Sequence, residues 1–335
     1  MNYKVSIFAF IYLAMTITAT GISSKIESIG LIPENAKGEW RKQEVTNPPS
    51  RIICGLAYDS DRRRVILFGG DRMRSTPIGD TWEWNGREWQ QMNIEGPAAR
   101  YGHVLAYDKR RRVTILFGGF DKKEKLFGDT WTWNGKEWKE LKVQGPAPRR
   151  SPAIVYDESR GRVIVFGGLG GDGPVRGNER FYQDTWEWDG SKWHRMATTG
   201  PPPCYGPTMV YDPSRRKVLL YGGNDHSNNI YGHTWEWDGK AWKKLSDQGP
   251  GPRGGVHMIY SKTRGKVVLF GGFDRQQAFR DMWEWNGKTW SRLDVKEGPA
   301  MSFPMAAYDT NQSKLILFGQ AAPGQPQGET WELEL

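Results

Sequence analysis

Thr130-Trp131-Thr132-Trp133-Asn134-Gly135-Lys136-Glu137-Trp138 is the stretch on which the fold turns. Close copies stand at Thr81-Trp82-Glu83-Trp84-Asn85-Gly86, Thr185-Trp186-Glu187-Trp188-Asp189-Gly190, Thr234-Trp235-Glu236-Trp237-Asp238-Gly239 and Met282-Trp283-Glu284-Trp285-Asn286-Gly287. A unit that recurs at a fixed period sets the architecture before any local motif does. A glycine pair precedes each copy, at Gly69-Gly70, Gly118-Gly119, Gly167-Gly168, Gly222-Gly223 and Gly271-Gly272, with a worn sixth at Gly319-Gln320. Successive first glycines lie 49, 49, 55, 49 and 48 residues apart.

Each unit holds four strand signals bounded by turn chemistry. In the second, these are Tyr101 to Tyr107, Val113 to Phe117 ending at the glycines, Thr130 to Trp133, and a strand starting at Trp138. The second strand is apolar at nearly every position, which suits a strand covered on both faces. The third alternates tryptophan with Thr or Glu, which puts its two indoles on one side. Asn-Gly or Asp-Gly between strands three and four predicts two-residue type I′ hairpins. All 17 tryptophans fall into this scheme. An indole that recurs at one register in every unit predicts packing between neighbouring sheets.

A period near 50 with four short strands per unit predicts an all-β, six-bladed β-propeller. Through its Gly-Gly, aromatic-Asp and Trp-x-Trp-Asn/Asp-Gly motifs the chain resembles kelch-repeat propellers over the whole region after residue 37. It is most similar to exported bacterial kelch proteins, related to the central domain of galactose oxidase and to the propeller of N-acetylneuraminate mutarotase. The resemblance implies the ring; function has to be read from sites grafted on it.

The sixth unit stops at Thr330-Trp331-Glu332-Leu333-Glu334-Leu335, without a fourth strand. Lys37-Gly38-Glu39-Trp40-Arg41-Lys42 matches Gly135-Lys136-Glu137-Trp138-Lys139-Glu140. The N-terminal strand is therefore expected to complete the C-terminal blade, leaving no open edge. The expected domain is residues 38–335, preceded by a linker at 22–37 and a signal peptide at 1–21. Lys4, the apolar run from Val5 to Ala19, and Ala19-Thr20-Gly21 have the order of such a leader and are short for a membrane span. Export to the periplasm or beyond is the expectation, with association to a cell-envelope surface.

The net charge is +9. Arg62, Arg63, Arg64, Arg110, Arg111, Arg112, Arg160, Arg215 and Arg216 sit in the hairpins between strands one and two and predict a basic rim on one face. Pairing with Asp59, Asp108, Asp157 and Asp212 is its plainest explanation; attraction to an anionic polymer or lipid is the sharper one. Nucleic acid is not an expected partner, because no nucleic-acid module is recognisable. Cys54 and Cys204 fall in opposite blades, too far apart for a disulfide, and are expected to be free buried thiols. His103 and His257 are too few for a metal site and are expected to pack or to line the channel. No metal and no cofactor are expected, and a monomer is.

Departures from the repeat are the places to look for function. The loop at 169–183 is six residues longer than its counterparts, and His233 replaces the Asp that precedes Thr-Trp in other units. Arg51, Arg100, Arg149 and Arg253 occupy one register leading into strand one, with Cys204 and Met301 in the remaining units. Guanidinium groups around a channel mouth suit a carboxylate, sulfate or phosphate, unless each pairs with a loop Asp. Arg100 and Arg149, in adjacent units, are expected to hold one anionic group together. Arg180 and His226 join the four as candidate ligand-binding residues. The reading is a binding or scaffolding module for a protein segment or an anionic glycan, leaning away from an enzyme. The alternative is a sugar-acting enzyme such as a sialic-acid mutarotase, with Glu179, Arg180 or His226 as acid–base candidates and no catalytic residue assigned.

Overall fold

The computed structural model describes residues 38–72, 76–171, 179–225, 227, 229–320 and 325–335. The leader at 1–21 and the linker at 22–37 lie outside the described residues, as does His226. Among the described residues no helix is long and apolar enough to cross a membrane.

Six four-stranded antiparallel sheets follow one another as blades. Blade one is Gly55–Asp59, Arg64–Phe68, Thr81–Trp84 and Trp89–Met92, and blade two is Tyr101–Asp108, Val113–Phe120, Thr130–Trp133 and Trp138–Leu141. Blade three is Ala153–Asp157, Arg162–Phe166, Thr185–Trp188 and Trp193–Ala197. Blade four is Thr208–Asp212, Lys217–Tyr221, Thr234–Trp237 and Trp242–Ser246. Blade five is His257–Ser261, Lys266–Phe270, Met282–Trp285 and Trp290–Arg292. Blade six takes Ser302–Asp309, Lys314–Gln320 and Glu329–Glu334 from the C-terminus and Trp40–Lys42 from the N-terminus. Trp40 lies opposite Leu333 and Lys42 opposite Trp331. The chain ends thus close the ring as the truncated sixth unit predicts.

The core is a set of inter-blade seams. The second strands are sealed, with Ile66, Leu67, Phe68, Ile115, Leu116 and Phe117 fully buried. Each strand-four tryptophan meets the strand-two aromatic of the preceding blade, as in Trp138 on Phe68 (5.3 Å), Trp193 on Phe117 (5.6 Å) and, at the closure, Trp40 on Phe270 (5.2 Å). Five of these indoles also donate to a buried threonine there: Trp89 to Thr330, Trp138 to Thr81, Trp193 to Thr130, Trp242 to Thr185 and Trp290 to Thr234. At the sixth seam Met282 stands where the threonine would be, and the Trp40 indole N–H is buried without an acceptor.

Two local expectations change. The strand three to four connection is not a type I′ turn, because Asn85 lies outside the positive-φ region and only Gly86 (φ 92°) is in it. Four residues link the paired Trp84 and Trp89, and the Asn85 carboxamide accepts from the amides of Arg87 and Glu88, drawing the connection into an Asx-type turn. In blade two, strand two runs through its glycines to Phe120. Gly118 and Gly119 (φ 75° and 96°) allow a bend that a larger residue would resist, carrying the chain on to pair Phe120 with Tyr101.

Candidate functional site

Arg51, Arg100, Arg149 and Arg253 do not project into the channel mouth. Their side chains are at most 2% exposed and each is clamped within its own blade. Arg100 bonds Asp129 through both terminal nitrogens (2.6 and 2.8 Å), the Gly118 carbonyl at 3.1 Å and the Ala98 carbonyl at 3.0 Å. Arg51 with Asp80 and Arg149 with Asp184 repeat the set, and Arg253 holds Asp281 and the Gly271 carbonyl. The Trp two residues after each Asp donates its indole N–H to the same carboxylate. Arg100, Arg149 and Arg253 lie 3.8, 3.9 and 3.9 Å over the rings of Phe127, Tyr182 and Phe279. Burial works against ionisation of Asp80, Asp129, Asp184 and Asp281, but the guanidinium bonds and charge outweigh it and hold these carboxyls below their usual range. The shared anion expected between Arg100 and Arg149 therefore gives way to two separate internal ion pairs.

The repeats themselves report this pairing. Blades with Arg have Asp before Thr/Met-Trp, whereas Cys204 faces a His233 register and Met301 a Glu329 register. Both members change together, as a clamp requires. Freed of that partner, His233 stacks on Tyr231 and approaches Asp247 at 3.4 Å, while Glu329 takes Lys42 of the closing strand.

One residue further on, each lead-in forms the channel mouth. Ile52, Tyr101, Arg150, Tyr205 and Gly254 pair with Asp71, Phe120, Leu169, Asn224 and Phe273, the residues following the glycines. The next residues adopt positive φ, and a main-chain belt runs from blade to blade: Gly102 N–H donates to Ile53, Ser151 to Gly102 and Gly206 to Ser151. On this belt sits Arg150, which makes no ion pair with any described residue and whose Nε is buried without a partner. Its guanidinium carbon lies 4.7 Å from the centre of the Phe120 ring, which contacts Tyr101 at 3.8 Å. Burial works against its charge, while the fields of Tyr205, Glu179, Tyr101 and Glu124 support it. Tyr205 in turn lies 5.8 Å from Phe181. Sequence reasoning passed Arg150 over for its neighbour Arg149; the usable signal was that Arg150 occurs at this register in one blade alone.

Arg180 is exposed on the rim of a cavity of about 640 Å³ on the same face, above blade three. The linker at Gly145 and Ala147, the segment Arg180–Asp184, Trp186, Arg195, Thr198 and Pro203 line it. Glu179 is exposed beside it.

On the opposite face the basic hairpins are largely neutralised locally. Arg62 bonds Asp59 and Glu83, Arg111 bonds Asp108, Arg160 bonds Asp157 and Glu187, and Arg215 bonds Glu236. Cys54 and Cys204 are buried free thiols, and burial pushes Cys54 up to about 12. His103 packs against Phe68 of blade one (5.4 Å), whereas the His257 ring meets the Pro304 carbonyl of blade six at 2.5 Å. Among the described residues no group of three or more His, Cys, Asp or Glu side chains converges on a metal-sized point.

The family model described as the KLHDC2/KLHL20/DRC7 Kelch-repeats domain matches residues 31–189 and again residues 162–335. No curated protein matches the chain.

Proposed function

Because the chain belongs to the kelch-repeat family, whose domains generally act by binding proteins, we propose that this ring is a binding module that docks an acidic segment of a partner protein on its loop face. Arg150 carries the reading. A half-buried guanidinium whose Nε is shut off without a partner, held over an aromatic ring and without a carboxylate among the described residues, gains from an incoming anion. Tyr205 and Phe181 beside it provide the rigid ring surface that commonly anchors an interface. The paired basic rim on the other face lacks that incentive.

Selection of a displayed random-peptide library on residues 38–335 tests this. Enrichment of Asp- and Glu-rich peptides that bind the Arg150→Ala ring at least tenfold more weakly supports it. Enriched peptides without acidic character, or with equal affinity for the variant, remove Arg150 as the anchor. Export belongs to the same proposal and rests on the order of charge, apolar run and small residues at 4–21. A secreted product whose measured mass begins near residue 22 supports it, and one retaining Met1 overturns it.

A further inference from the structure

The cavity above blade three lies where the repeat departs from glycine, as it also does at Arg280 of blade five, which pairs with Glu297. At the register two residues before Thr-Trp, blades one, two and four carry Gly79, Gly128 and Gly232, each so close to the following linker that a Cβ would lie 3.2 Å or less from Ala99, Pro148 or Gly251. Blade three carries Gln183 there, and its amide donates to the Thr198 carbonyl at 2.8 Å. The linker is tied to a side chain instead of closing onto backbone, and space opens between them.

Lys244, Arg292 and Lys42 stand opposite the first strand-three tryptophan in blades four, five and six, and blade three puts its own cation there facing the cavity. Arg195 lies directly across the sheet from Trp186, where blades one and two place Gln91 and Glu140. Arg180 stands 5.4 Å over the ring of Tyr182, over which the buried Arg149 also lies at 3.9 Å. Neither Arg180 nor Arg195 makes an ion pair with a described residue, and the one carboxylate in the lining, Asp184, is already held by Arg149 and Trp186. Two guanidinium groups without an ion pair among the described residues thus line a hollow that also offers aromatic rings, an amide and a hydroxyl.

We infer that this cavity is a second binding site, distinct from the Arg150 mouth, for an acidic sugar unit: a sugar ring bearing a carboxylate or a sulfate. Arg180 and Arg195 meet the acid, the ring surfaces of Tyr182 and Trp186 meet the apolar face of the sugar, and Gln183 and Thr198 meet its hydroxyls. Its volume lies within the range of small-ligand pockets, roughly 300–1,000 Å³.

Isothermal titration with glucuronate, galactose 6-sulfate, glucose and inorganic sulfate at constant ionic strength tests it. Saturable binding of at least one acidic sugar is expected, at least tenfold tighter than glucose or sulfate. Arg180→Ala and Arg195→Ala, both at exposed positions, are each expected to weaken it tenfold or more. Gln183→Gly lets the linker close and abolishes it, with thermal melting verifying that all variants fold. Arg150→Ala leaves it unchanged, which separates this site from the peptide site. Binding of neither acidic sugar, sulfate binding as tightly as the sugars, or variants that bind like the parent would each overturn the site.

Discussion

Removing one member of an Arg–Asp clamp strands the other inside the protein. Arg100→Ala leaves Asp129 facing a cavity without its counter-charge, and Asp129→Ala leaves Arg100 buried; each is expected to cost about 3–5 kcal/mol. The double variant is expected to cost no more than either single one, and chemical denaturation of the four proteins in a double-mutant cycle reads the coupling. Additive losses would refute the clamp. Acid acts on different residues first. Burial lowers His103 to about 3 and His257 to about 4 from 6.5, with the Arg100 charge adding to the first and the Pro304 carbonyl opposing the second. Both are depressed in the folded state, so the unfolded chain takes up protons first. Their stability contribution is complete above about pH 6.5 and is lost as pH falls towards 4 and 3. In that window the folding constant is expected to fall up to tenfold per pH unit for each histidine, and His103→Leu should shed one histidine's share of the slope. An unchanged slope in that variant would mean His103 titrates freely. The clamps add their own loss as pH falls through about 3.8, where Asp80, Asp129, Asp184 and Asp281 are half protonated in the unfolded chain but still held ionised in the folded one.

A strand in this ring is held by an indole on its neighbour as well as by its own ladder. Thr130→Val keeps the size of the side chain but takes the acceptor from the Trp193 indole. A buried donor left unmade costs about 1–3 kcal/mol, which urea denaturation resolves. Met282→Val offers a contrast, since Trp40 has no acceptor there to lose; any cost is that of a smaller side chain. A Thr130→Val ring as stable as the parent would reduce the indole bonds to packing contacts. These strands were legible because period, alternation and turn residues all mark them. The turn type was not, because Asn-Gly fits more than one hairpin and the capping of Arg87 and Glu88 by Asn85 depends on where Trp84 and Trp89 pair. The clamp was half legible: Arg149 and Asp184 are 35 residues apart, and only a comparison of both registers across blades, including Cys204 with His233, ties them together. Arg150 was legible only as the one arginine at its register. Its interest lies in making no ion pair among the described residues, which no spacing in a sequence records.

The whole ring depends on a closure only three residues wide. Glu39 meets Lys296 of the preceding linker at 2.5 Å, Lys42 meets Glu329 at 2.5 Å, and Trp40 fills the last seam on Phe270. Deleting residues 38–46 exposes the edge of blade six and uncovers Phe270 and Leu333, so the entire domain is expected to melt at least several degrees lower, since the seams are shared between neighbours. Melting within a degree or two of the parent would show that the strand is an ornament. A circular permutant separates the role of the strand from that of the chain end. The Gly38 amide lies 3.3 Å from the Glu334 carbonyl, so a short glycine linker from Leu335 to Gly38 spans no gap. New ends can be placed in the exposed connection at Ser191, which makes blade three the blade completed from both termini. Every seam survives in that molecule, and joining the old ends removes a site of fraying. It is expected to melt within a few degrees of the parent and to bind acidic peptides through Arg150 unchanged, as calorimetry and titration measure. A permutant that folds poorly although the joined ends are adjacent would mean that residues 38–42 must dock last, onto a ring already formed, and that closure is a kinetic requirement as well as a structural one.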